Sequence, residues 1–94
     1  MKKPNDILLD RFEDAIKKLK LEYEVFFNGG AERVPVKTHD AVSLELKRLL
    51  TIQSFNYPQR FRLNTLALRL NTYADSWKRT LKMIEEGRKR RGGA

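Results

Sequence analysis

Apolar residues recur at spacings of three and four along almost the whole chain, and that periodicity constrains the fold more than any other feature. Leu9, Phe12, Ile16, Leu19, Tyr23 and Phe26 form an unbroken heptad-type stripe. Such spacing puts every member on one side of an α-helix. Asp10, Arg11, Glu13, Asp14, Lys17, Lys18 and Lys20 fall between them, as a solvated face requires. The pattern predicts a first helix over 5–27, with Pro4 at its start and Asn5 or Asp6 as cap. Asn28, Gly29 and Gly30 end it, because glycine enters the left-handed conformation of a C-terminal cap without strain.

Residues 28–37 read as a connector, with Val34, Pro35 and Val36 extended because proline biases its predecessor away from helix. Thr38 is the expected N-cap of a short second helix over 39–54, which carries Val42, Leu46 and Leu49. Phe55, Asn56, Tyr57 and Pro58 interrupt the pattern. Asn56 is placed to cap a third helix over 58–87, where Pro58 sits in the first turn and its missing N–H costs little. On that helix Leu63, Leu66, Leu70, Tyr73, Trp77, Leu81 and Ile84 share an arc of roughly 80° at 100° per residue. The expected fold is an all-α antiparallel three-helix bundle, coiled-coil-like, with a short middle helix. It forms one domain over 1–88, followed by a disordered basic tail over 89–94, where no apolar residue but the last alanine remains to dock. The core expected from these stripes also includes Phe26, Leu46, Tyr73 and Leu81.

Composition narrows the function classes. The 94 residues include no cysteine and one histidine, His39, so disulfides, thiolate chemistry and Cys- or His-based metal sites are not expected. Residues 49–59 form the longest uncharged stretch and are too short and polar to span a membrane. The start has no apolar segment long enough for a signal peptide, which points to a cytoplasmic protein. His39 and Asp40 resemble a catalytic pair only on paper, since adjacent helical residues do not face each other. Gly29 and Gly30 follow a helix and so form no phosphate loop. A non-enzyme without cofactor is the expectation.

The chain carries 20 Lys+Arg and 12 Asp+Glu, a net charge of +8. Residues 1–50 hold ten basic and nine acidic groups, and residues 51–94 hold ten and three. Nearly all the surplus therefore lies on the third helix and its tail. Arg60, Arg62, Arg69, Lys78, Arg79, Lys82 and Arg88 are the candidate anion- or partner-binding residues. Phosphate backbones are bound chiefly by such charge. Arg33 is a separate cation in the connector.

One internal repeat stands out: Arg62-Leu63-Asn64-Thr65 recurs as Arg69-Leu70-Asn71-Thr72. A seven-residue period returns each side chain to nearly the same face. The two arginines thus form a row beside the core stripe, free to hold phosphates or to pair internally with Glu13, Asp14 or Glu45. Phe61 and Leu68 also sit seven apart, outside the core arc. Contact with the second helix is the expected use for them, and a protein interface is the alternative.

The run Tyr23, Glu24, Val25, Phe26, Phe27, then Gly, then Arg33, Val34, Pro35 carries a resemblance. So do Arg60, Phe61, Arg62, Leu63, Asn64, Thr65, Tyr73, Trp77 and the ending Ile84, Glu85, Glu86, Gly87. Together they resemble a small bacterial helical domain of unknown function, of the kind found at the C-termini of longer myxobacterial-type proteins. The similarity covers about residues 20–88. It implies a helical domain and supplies no catalytic residues.

The functional expectation is a non-catalytic binding module using a basic helix face to contact an anionic partner. Nucleic acid is the first candidate and an acidic protein surface the next. The alternative is a protein–protein adaptor or oligomerisation domain, including a homodimer, built on Phe61 and Leu68.

Overall fold

The computed structural model describes the backbone over residues 2–92 and the side chains as far as Gly87. Three helices make up the chain: α1 Pro4–Phe27, α2 Val36–Leu50 and α3 Tyr57–Gly92. Consecutive helices run antiparallel, so α1 and α3 are parallel. Side chains of α1 meet α3 partners 49 to 56 positions later in the chain, among them Asp10 with Arg62 and Glu13 with Arg69. The molecule is elongated, 59 × 20 × 16 Å.

The stripes merge into one core. Leu9, Phe12, Ile16, Leu19 and Tyr23 from α1 pack with Val42 and Leu49 from α2 and with Leu63, Leu66, Leu70 and Trp77 from α3. Leu46, Tyr73 and Leu81 are only partly buried against this cluster, and Phe26 is half-buried. Phe55, in the α2–α3 connector, is fully part of the core although it breaks the helical spacing. It closes one end of the bundle where helical periodicity has stopped.

Helix ends depart from the sequence expectation in informative ways. Lys3 is the N-cap of α1, without a side-chain cap bond, and Pro4 opens the helix. Asn5 instead donates to the carbonyl and hydroxyl oxygens of Ser54, joining the start of α1 to the α2–α3 connector. The α1 terminus behaves as expected. Gly29 adopts φ +83°, its N–H reaches Phe26 O at 3.1 Å, and the Gly30 N–H reaches Val25 O at 2.8 Å. This is the paired bonding of a Schellman cap.

α2 begins at Val36, not near His39, and Pro35 rather than Thr38 is its N-cap. Proline already has the φ that a helix entry needs, so the turn starts as soon as the proline is passed. α2 then stops at Leu50, short of Ser54; the Thr51 hydroxyl donates to Arg48 O at 2.7 Å and closes its last turn.

α3 opens on a reciprocal cap. The Gln59 N–H donates to Asn56 Oδ1, and the Asn56 N–H donates to Gln59 Oε1, both at 2.9 Å. Two backbone donors that the first turn leaves without partners are satisfied in this way. Gln59 is buried, and its Nε2 also donates to Asp6 Oδ1 at 3.2 Å. At the other end α3 continues as helix to Gly92, beyond the end expected near 87 and through the basic run expected to be disordered from 89. Gly93 and Ala94 lie outside the described residues. Because α1 ends at Phe27, the register leaves α3 projecting past it from about Lys82 onward, some 16 Å of helix at 1.5 Å per residue.

Candidate binding interface on the third helix

The cations of α3 form two groups on different flanks: at 100° per residue, Lys78 and Lys82 lie about 140–180° around the helix from Arg62 and Arg69. In the proximal half, Arg62 and Arg69 turn toward α1. Arg62 Nη2 lies 2.7 Å from Asp10 Oδ1 and 3.2 Å from Glu13 Oε1, and Arg69 Nη1 lies 3.3 Å from Glu13 Oε2. Lys2 joins the same cluster through Asp10. The parallel register causes this pairing, because it sets the acidic flank of α1 beside the repeated arginines. Asp14 and Glu45, considered as partners from sequence, are not the ones used.

Hydrogen bonds from Lys2 and then Arg62 hold the Asp10 carboxyl below the usual carboxylate range. Burial acts to raise Glu13, but hydrogen bonding by Arg62 and the charges of Lys17 and Arg62 outweigh it, and the net shift is downward. The Asp10 hydrogen bond raises Arg62 further above its ordinary value, against the opposing effect of burial. Two of the sequence-predicted anion-binding residues are thus neutralised within the fold.

Arg60 has another role. Its Nε donates to Phe55 O and its Nη2 to Gln53 O, both at 3.3 Å. It clasps the α2–α3 connector and fixes Phe55 in place.

In the distal half, Lys78, Arg79 and Lys82 are exposed. Among the described residues they take part in none of the ion pairs. Arg88 follows on the projecting part of the helix, and its side chain lies outside the described residues. Lys78 and Lys82, one turn apart, border a groove of about 510 Å³ lined by Tyr23, His39, Trp77 and Leu81, with Asp75 and Glu85 also at its edge.

An aromatic cluster supports this groove. Trp77 stacks on Tyr23 with centroids 4.0 Å apart and planes 10° apart. Tyr73 lies 5.9 Å from Trp77, with Lys20 5.1 Å over the Tyr73 ring. His39 meets both Tyr23 and Trp77 edge-on, and its Nδ1 shares a 2.8 Å hydrogen bond with the Tyr23 hydroxyl. Burial, reinforced by the charge of Asp40, pushes the Tyr23 phenol above its ordinary value. His39 is therefore a tertiary contact between helices, a pairing invisible in sequence because its partner is 16 residues away.

Phe61 and Leu68 are not packed into the core formed with α2. They are 64% and 67% exposed, and Tyr57, one turn before Phe61, is 81% exposed. The three lie directly opposite the buried stripe of α3, too far around the helix for α2 to reach. The seven-residue spacing was visible in sequence; a helical projection including Tyr57 would have revealed a continuous outer face.

Exposed Arg33 borders two clefts beside the connector together with Glu22, whose buried Oε2 has no hydrogen-bond partner among the described residues. Among the described residues no cluster of three or more His, Cys, Asp or Glu is placed to hold a metal ion, and no helix is long and apolar enough to cross a membrane. Comparison with protein-family models, curated proteins and solved structures matched none of them to this chain.

Proposed function

We propose that this chain is a non-catalytic binding module whose distal α3 surface contacts an anionic partner, with nucleic acid as the first candidate. The observation that carries the reading is the division of the α3 cations. Asp10 and Glu13 neutralise the proximal arginines, while Lys78, Arg79 and Lys82 remain exposed and outside those pairs. The contact set is accordingly Lys78, Arg79, Lys82 and Arg88, on a helix that projects beyond the bundle and has one side open to a long polymer. Phosphate oxygens at a few-ångström spacing suit lysines one turn apart, and binding of this kind releases counterions.

Four phosphate contacts predict that log affinity falls against log salt with a slope of about −3. Titration of a fluorescent oligonucleotide across salt tests this. Changing Lys78, Arg79 and Lys82 together to Ala should remove most of the affinity and flatten the slope. Absence of measurable affinity at low salt would refute the reading.

A further inference from the structure

The outer face of α3 carries a second heptad seam. Tyr57, Phe61, Asn64, Leu68 and Asn71 recur at four-three spacing within an arc of about 80°, opposite the core. All five are exposed. The hydroxyls of Thr65 and Thr72, beside the seam, donate back to Phe61 O at 3.0 Å and Leu68 O at 2.9 Å, so they are satisfied within the helix. No charged side chain falls on this face between Tyr57 and Thr72, in a chain whose residues are 34% charged. A neutral strip with three large exposed apolar groups has the pattern of a helix–helix contact.

We infer that this face pairs with the same face of a second copy, antiparallel, to form a two-fold dimer. Charge selects the occupant. A strongly acidic or basic partner gains nothing from an uncharged strip, whereas two copies of a +8 chain need such a strip to approach each other. The seven-residue repeat makes the face self-complementary. A two-fold axis between Asn64 and Thr65 sets Phe61 on the Leu68 of the second copy, and Leu68 on its Phe61.

Orientation follows from the distal cations. Parallel pairing would place the two basic ends side by side. Antiparallel pairing separates the Lys78 positions by about 40 Å at the helix rise, several times the Debye length of about 10 Å at 0.1 M salt. The seam spans only Tyr57 to Asn71, which is short against a standard interface. A monomer–dimer equilibrium is expected rather than an obligate dimer. This inference is independent of anion binding and leaves the distal cations free at both ends of the pair.

Light scattering should show the mass rising from 11.1 kDa toward twice that value as concentration increases. Added salt should favour the dimer, the opposite of its effect on nucleic-acid binding. Phe61→Lys and Leu68→Glu should each remain monomeric, while an equimolar mixture of the two should recover dimer, because the antiparallel axis sets Lys against Glu. Since the native chain has no cysteine, single-cysteine variants report the axis directly. Asn64→Cys should oxidise readily to a disulfide-linked dimer, and Tyr57→Cys should not. A mass that stays at 11.1 kDa up to about 1 mM, a concentration that would populate even a weak complex, would overturn the inference. So would a mixture that recovers no dimer, or cross-linking at Tyr57→Cys that exceeds Asn64→Cys.

Discussion

The proximal and distal halves of α3 are built from the same materials, an apolar stripe flanked by basic residues, yet their charges have different fates. Proximally, α1 runs alongside in parallel register and supplies Asp10 and Glu13, so Arg62 and Arg69 become internal ties. Distally, Lys78 and Lys82 lie on the other flank of α3, and Glu24 in the last turn of α1 pairs with Lys20 at 3.8 Å, so Lys78, Arg79 and Lys82 remain at the surface. The function of a cation on this helix is decided by what the neighbouring helix presents opposite it. The repeat that makes Arg62 and Arg69 conspicuous in sequence marks residues that hold the fold together, and the residues best placed for a partner carry no motif.

The largest effect is expected where the two halves share a core. Trp77 stacks on Tyr23 and links α1, α2 and α3 at the level where the proximal half gives way to the distal one. Trp77→Ala should cost about 3–5 kcal/mol, enough to unfold much of so small a domain. Thermal melting followed by circular dichroism measures it, and a wild-type-like midpoint would mean that the distal half is not anchored through this residue. A smaller loss, about 1 kcal/mol, is expected for Asn56→Ala, which removes one side of the reciprocal cap at the proximal end of α3.

Next comes the ion-pair cluster. Glu13→Gln should cost at most about 1 kcal/mol, because the pairs are partly exposed. Its pH signature is more specific. Asp10 and Glu13 have pKa values in the fold below their ordinary 3.8 and 4.5. Their contribution is therefore present in full above those ordinary values and is lost as pH falls through the lowered ones. The melting temperature should hold from neutral pH to about 5 and drop below about 4, with a shallower acid limb in Glu13→Gln. An unchanged acid limb would contradict the pairing. The smallest effect belongs to the distal half: Lys78→Ala and Lys82→Ala should each alter stability by less than about 0.5 kcal/mol, since neither takes part in the ion pairs among the described residues.

Much of the fold was legible in the sequence because helical periodicity reports directly on burial. The stripes of α1 and α3, the glycine cap after Phe27 and the capping role of Asn56 all follow from local spacing and residue chemistry. What local patterns hid were the contacts made across the bundle. Asn5 looks like a cap and instead bonds to Ser54, 49 residues away. Phe55 looks like part of a loop and closes the core. His39 looks like half of a catalytic pair and supports Tyr23. Arg62 and Arg69 could not be assigned until the parallel register of α1 and α3 was known, because that register determines which carboxylates they meet. The outward position of Phe61 and Leu68 was present in the spacing. Their exposure was not, because it depends on how far around α3 the short second helix reaches.

A single titration separates the two halves most directly. Anisotropy of a labelled single-stranded oligonucleotide would be followed between about 50 and about 200 mM salt, the range over which phosphate contacts weaken most visibly. It would be run for the wild type, for Lys78→Ala/Lys82→Ala and for Arg62→Ala/Arg69→Ala, at a temperature where all three are folded. The distal variant should lose most of its affinity, with a salt slope shallower by about 1.4 at the single-strand coefficient. The proximal variant should keep the wild-type slope. Equal losses in the two variants, or no binding by the wild type at low salt, would contradict the proposed division of α3 into a structural half and an anion-binding half.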